Sequence, residues 1–303
     1  MRAILFPGQG SQYVGMASDF HKKYDIVKKN FDMVDETLGF SLSEIILNGP
    51  EEKLKLTENT QPAIMTVGVS IFDVIKKNLD LNTCRFFAGH SLGEYTALVC
   101  SGSLTLGRAA YLLRERGKSM QEAVPENHGA MIAIIGMSIN EVEQEISLVS
   151  KNGICEIAND NSDAQVVVSG EKNSIELLSS NLKKRKKKGI ILPVSAPFHC
   201  SLMNKAKENM KEKIEGTNFL KPKPNIISNV TAKEESDVNK IKPLLIDQIT
   251  SKVRWRESVN YMIKKGVSNF VEIGPGKVLS GLVKKIDSNV DISYINSIED
   301  IKL

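Results

Sequence analysis

Along this chain, short continuous apolar runs alternate with stretches in which apolar residues return every three or four positions. That is the pattern of buried strands alternating with amphipathic helices. Arg2 to Phe6 reads as a buried strand, and Pro7-Gly8-Gln9-Gly10-Ser11-Gln12 as a loop whose glycines let the backbone approach a ligand closely. Helical patterns fill most of the first ninety residues, and Thr60-Gln61-Pro62-Ala63 marks a helix start because Pro62 suits a first turn. Cys84 to Ala88 is the next strand, and Thr105 to Ala123 is helical again.

The middle of the chain changes character. Strand patterns at 130–135, 154–158, 165–169 and 190–194, with helices at 140–149 and 174–187, give the order β-α-β-β-α-β. This is the split βαβ arrangement of a ferredoxin-like unit. It predicts a small domain over 126–195 inserted into an α/β core made of 1–125 and 196–303. The closing part returns to α/β alternation, with strands at 225–228 and 267–273 and helices at 202–214, 243–251, 258–265 and 277–285.

The chain has 303 residues, 41% hydrophobic and 25% charged, which suits a large core and either one big α/β domain or a domain with an insertion. No apolar run approaches bilayer length, so no membrane partner is expected. The amino-terminal apolar run is too short for a secretory signal. Cys84, Cys100, Cys155 and Cys200 lack metal-site spacing, and a reducing, cytoplasmic setting with no metal is expected. A net charge of +4 without an aromatic-interleaved basic face argues against nucleic acid. One basic run stands out: Lys183, Lys184, Arg185, Lys186, Lys187 and Lys188. It reads either as a solvated helix end or as a docking patch for an acidic partner.

The candidate chemistry lies in Gly89-His90-Ser91-Leu92-Gly93, a G-x-S-x-G sequence entered by a strand and left by a helix. A serine at such a turn takes a strained backbone and presents its hydroxyl above the sheet. It needs a base, and the chain has only four histidines. His90 sits inside the turn, His21 in a charged helical segment and His128 in a polar turn. His199 follows a strand and precedes a helix, so its loop can reach the serine in space. A structural histidine is the competing reading of His199, as a surface cation is of Arg116 and a helix-start hydrogen bond is of Gln61.

Five strings occur together and in order: Phe6-Pro-Gly-Gln-Gly-Ser-Gln12, Gly89-His-Ser-Leu-Gly-Glu94, Arg116-Gly-Lys-Ser-Met-Gln121, Pro197-Phe-His-Cys200 and Gly274-Pro-Gly-Lys-Val-Leu279. In these the chain resembles the malonyl-CoA:acyl carrier protein transacylases and the acyltransferase domains of fatty acid and polyketide synthases, over essentially its whole length. The resemblance implies an α/β-hydrolase-like core with a parallel sheet plus an inserted ferredoxin-like domain. It also implies transfer of malonyl from malonyl-CoA to the phosphopantetheine thiol of holo-acyl carrier protein, with no cofactor.

By that resemblance Ser91 is the acylated nucleophile and His199 its general base and acid. The backbone amides of Gln9 and Leu92 form the oxyanion hole, and Arg116 holds the malonyl carboxylate by a two-pronged hydrogen bond. Gln61 lines the pocket, and Phe198 fills the space an α-methyl group would need. Family members carry an Asn-Pro-Val-Gln-Trp segment with a backbone carbonyl that orients the histidine. This chain has Ser251-Lys252-Val253-Arg254-Trp255, which assigns that role to the carbonyl of Arg254. An acidic carrier would suit the lysine run. A serine esterase on the same core, and a non-catalytic carrier-binding subunit, are the alternatives that remain open.

Overall fold

The computed structural model describes residues 1–194 and 196–301. Ser195, the expected last residue of the inserted unit, lies outside the described residues, as do Lys302 and Leu303. The strands run in chain order β1 (Arg2–Phe6), β2 (Cys84–Gly89), β3 (Gly129–Ile135), β4 (Cys155–Ser162) and β5 (Gln165–Glu171). They continue with β6 (Lys188–Ile191), β7 (Asn225–Ile227), β8 (Glu234–Glu235), β9 (Asn269–Ile273) and β10 (Asp291–Ile295).

Two sheets result. The first has the order β10-β9-β1-β2-β7-β8, parallel except for the last pair, and the second the order β4-β5-β3-β6, antiparallel throughout. The first is the α/β-hydrolase-like core. The second, with helices Ile139–Val149 and Lys172–Lys184 on one face, has the strand order of a ferredoxin-like unit.

Central strands β1, β2 and β9 are apolar on both faces because helices cover both. Ile4, Phe6, Phe87 and Ile273 point into one cluster, and Ala3, Leu5, Phe86 and Phe270 into the other. Parallel strands buried on both sides read as unbroken apolar runs, which is why pattern alone finds them. Edge strand β10 is half exposed along its length and escapes that pattern.

Two elements depart from expectation in ways that shape the site. The helix expected to begin at Thr60 runs from Thr57 to Ile75, with Pro62 in its second turn. Its neighbour, Leu106–Glu122, crosses it at Gly117, where a Cβ would stand 2.5 Å from the Glu58 Cα. Only a residue without a side chain allows so close a crossing, and it brings the helix carrying Arg116 against the one carrying Gln61.

Strand β4 continues past Ala158 through Asn159-Asp160-Asn161-Ser162, a polar run that reads as loop. Its polar groups bind the core. The Asp160 amide donates to the Val253 carbonyl at 2.9 Å, and the Val253 amide to the Ala158 carbonyl at 2.8 Å. The carboxylate of Asp160, with no exposed side-chain surface, takes both prongs of Arg256 at 2.9 Å. A ladder strand of the small sheet is thereby stitched to the large unit.

Candidate active site

Ser91 sits where β2 ends and the helix Gly93–Cys100 begins, with φ of +54°. The chain closes on itself there: a Cβ on Gly89 would fall 2.0 Å from the Gly93 carbonyl, and one on Gly93 would fall 2.3 Å from the Phe6 oxygen. Glycine at both positions is therefore steric necessity, and it leaves Ser91 held in a left-handed backbone. Asn229 secures the turn, its Oδ1 accepting the Ser91 amide at 2.7 Å and its Nδ2 donating to the Gly89 carbonyl at 2.8 Å.

The Ser91 Oγ lies 2.8 Å from Nε2 of His199, 108 residues away in sequence. His199 too has a positive φ, +59°. Its Nδ1 meets the carbonyl oxygen of Gln248 at 2.8 Å. A carbonyl only accepts, so Nδ1 carries the ring proton and Nε2 is left as the acceptor for the serine hydroxyl. Burial, and then the Arg116 cation, push the imidazole down to about 3. A neutral imidazole facing a serine hydroxyl is the state a general base requires. Among the described residues no other histidine is hydrogen-bonded to Ser91 Oγ: His90 binds Asn161 Oδ1 at 2.9 Å and packs on Trp255, His21 packs on Phe31, and His128 is exposed.

The carbonyl that orients His199 is thus that of Gln248, and the assignment to Arg254 is corrected. Arg254 caps the helix Trp255–Lys264, and its carbonyl is occupied by the Ser258 amide at 2.9 Å and hydroxyl at 2.8 Å. Gln248 follows the last residue of the helix Val238–Asp247, where carbonyls have no intrahelical donor and remain free for a partner. The one signal for it was a glutamine at the end of an otherwise apolar helix face, buried in the structure.

Arg116 is not a surface cation. It is 1% exposed, and its guanidinium donates to Gln61 Oε1 at 2.6 Å, Gln248 Oε1 at 2.9 Å and Ser91 Oγ at 3.1 Å. All three acceptors are neutral oxygens. Among the described residues no carboxylate forms an ion pair with it, and its Nε is buried without a partner. A buried cation so placed is costly until an anion joins it. Gln61 therefore serves the guanidinium and not its own helix start; its Nε2 faces the Met120 sulfur at 3.8 Å.

Ser91, His199, Arg116 and Gln61 line a cleft of about 480 Å³ together with the apolar Met131, Leu192 and Phe198. Gln9 and Leu92 also line it, and neither backbone amide has an acceptor among the described residues. Leu92 precedes the first residue of a helix, where amides point outward unpaired. The six basic residues Lys183 to Lys188 lie apart from the cleft, exposed, at the end of a helix and the start of β6. Two of them are engaged locally, Arg185 with Glu145 at 2.6 Å and Lys187 with Glu141 at 3.6 Å.

Residues 4–299 match the family model described as acyl transferase domain. The malonyl CoA-acyl carrier protein transacylase of Bacillus subtilis is 43% identical over 99% of this chain and 95% of its own length. The crystal structure of an acyl-carrier-protein-S-malonyltransferase from Bartonella henselae superposes with a TM-score of 0.96 at 40% identity, covering 99% and 96% of the two chains. A type II PKS acyl-carrier protein in complex with its malonyl-transacylase contains a chain matching with a TM-score of 0.95 at 38% identity, over 99% and 97%.

Proposed function

The chain belongs to the acyl transferase domain family, and on that premise we propose how it moves a malonyl group from malonyl-CoA to the phosphopantetheine thiol of acyl carrier protein in fatty acid synthesis. Ser91 attacks the thioester carbonyl while His199 takes its proton through Nε2. The oxyanion that forms is received by the amides of Gln9 and Leu92, each worth about 3 kcal/mol in the transition state. His199 then returns the proton to the departing coenzyme A thiolate, leaving malonyl-Ser91. The carrier's thiol enters next and reverses both steps. One thioester replaces another, so the scheme calls on no cofactor beyond its substrates.

The observation that carries this reading is the buried guanidinium of Arg116, which touches the nucleophile and forms no ion pair among the described residues. Malonyl supplies an anion that can pair directly with the guanidinium, and a neutral acetyl group supplies none. Gln61 holds the guanidinium, and Phe198 limits the space beside the acyl α-carbon. The basic run Lys183 to Lys188 is proposed as a contact for the acidic carrier protein. No described helix is long and apolar enough to cross a membrane, and the reaction suits the cytoplasm.

The test is intact mass after incubation with malonyl-CoA alone and with acetyl-CoA alone. A malonyl adduct on Ser91, weak or absent with acetyl-CoA and lost in Ser91→Ala, is the expected result. Hydrolysis of simple esters without any adduct would move the assignment to an esterase.

A further inference from the structure

The mechanism leaves the buried acid beside the nucleophile without a role. Glu94, in the first turn of the helix after Ser91, is 1% exposed and forms no ion pair among the described residues. Its Oε2 accepts two hydrogen bonds, from the Asn229 amide at 3.0 Å and from Gln248 Nε2 at 2.7 Å. Both donors belong to residues already tied to the nucleophile, Asn229 through the Ser91 amide and Gln248 Nε2 through the Ser91 carbonyl at 3.1 Å.

The polarity of the Gln248 amide is the point at issue. A carboxylate oxygen that already accepts a fixed backbone N–H offers Gln248 only an acceptor, so the amide turns its NH₂ end to Glu94, where the Ser91 carbonyl accepts from it as well. The oxygen end then faces Arg116 Nη2 at 2.9 Å. Reversed, the amide would aim N–H groups at a guanidinium that has no acceptor, and Arg116 would lose a partner that aims it.

We propose that Glu94 is a positioning residue for carboxylate recognition: it fixes the orientation of the Gln248 amide, which in turn holds Arg116 against the site of the acyl carboxylate. This rests on the malonyl-transfer reading. Burial raises the Glu94 carboxyl to about 7, opposed by the Asn229 and Gln248 bonds and by the Arg116 cation. The role survives that titration, because a proton on Oε1 leaves Oε2 free to accept.

The experiment compares variants of the full chain in equimolar malonyl-CoA and acetyl-CoA, counting the two Ser91 adducts by intact mass, with kcat and KM for malonyl-CoA measured alongside. Because the adduct ratio is taken within one preparation, a misfolded fraction cancels. Glu94→Met removes the acceptor at similar length and is expected to lower the malonyl-to-acetyl ratio roughly tenfold, mostly through KM. Glu94→Gln is expected to restore it, since the Asn229 amide holds the new side chain's oxygen in the same place. Gln248→Met should fall as far as Glu94→Met, and the double variant no further. A parent-like ratio in Glu94→Met, a Glu94→Gln ratio as low as that of Glu94→Met, or additive losses in the double variant would each overturn the proposal. If Glu94→Met does not fold, a parent-like ratio in Gln248→Met overturns it. A parent enzyme that malonyl-CoA fails to acylate instead refutes the transfer reading itself, a separable result.

Discussion

Arg116 carries two jobs that can be separated by substitution. If it is the counter-charge for malonyl, as proposed, neither alanine nor lysine, which lacks the planar fork, should replace it. We expect Arg116→Ala to lower malonyl transfer at least about a hundredfold, the scale of a lost buried charge pair, while acetylation changes far less. As a cation beside His199 it also depresses the imidazole. Removing it raises the histidine's affinity for protons, so the acidic limb of acetyl transfer should move to higher pH in Arg116→Ala. A limb that stays in place would show that burial alone sets the basicity. The serine and the histidine were legible in the chain's own pattern, an elbow serine and the one histidine on a loop after a strand, whereas the arginine stood out only through the family resemblance, since its own string reads as a charged helix surface. Gln248 was not legible, because its contribution is a backbone carbonyl freed by a helix end and an amide whose partners are remote in sequence.

At the scale of elements, the site depends on where two helices cross and where one strand refuses to stop. Gly117→Ala places a methyl group within 2.5 Å of the Glu58 backbone. The helices must separate, at a cost of about 1–3 kcal/mol, and Arg116 moves off Gln61. Urea unfolding should report the first effect and a raised KM for malonyl-CoA the second. The ion pair of β4 makes an asymmetric prediction. Arg256→Leu strands a wholly buried carboxylate and should cost about 3 kcal/mol. Asp160→Asn should cost less, because Arg256 keeps 23% of its side-chain surface in water. Equal losses would mean the carboxylate is not the buried partner. The βαββαβ order was readable from periodicity, but the polar half of β4 was not. Asparagine and aspartate are loop residues until a second unit offers them hydrogen bonds. Pro62 misled in the opposite sense, since a helix packed on both sides tolerates a proline beyond its first turn.

For the whole molecule, Glu94 and His199 give stability opposing dependences on pH. Glu94 is raised from 4.5 to about 7, so its contribution is full at low pH and is lost as pH rises through 7. His199 is lowered from 6.5 to about 3, so its contribution is full above 6.5 and is lost as pH falls toward 3. Between roughly pH 4.5 and 6.5 the two slopes offset each other. Urea midpoints should rise with pH over that window in Glu94→Gln and fall in His199→Gln; matching profiles in the two variants would refute the pairing. Docking is tested by ionic strength. If the run from Lys183 to Lys188 meets an acidic carrier, added salt should raise KM for the carrier more than for malonyl-CoA. Equal effects would remove the run from the interface.

The seam between β4 and Val253 has a mechanical meaning as well. Met131 and Asn159 of the small sheet and Ser91, in the turn after β2 of the large sheet, line the same cleft. Two backbone hydrogen bonds and a forked ion pair join the small sheet to the large unit. If that seam sets the width of the cleft, the gap behaves as a caliper locked at one setting, and loosening Asp160 or Arg256 should widen the range of acyl groups accepted.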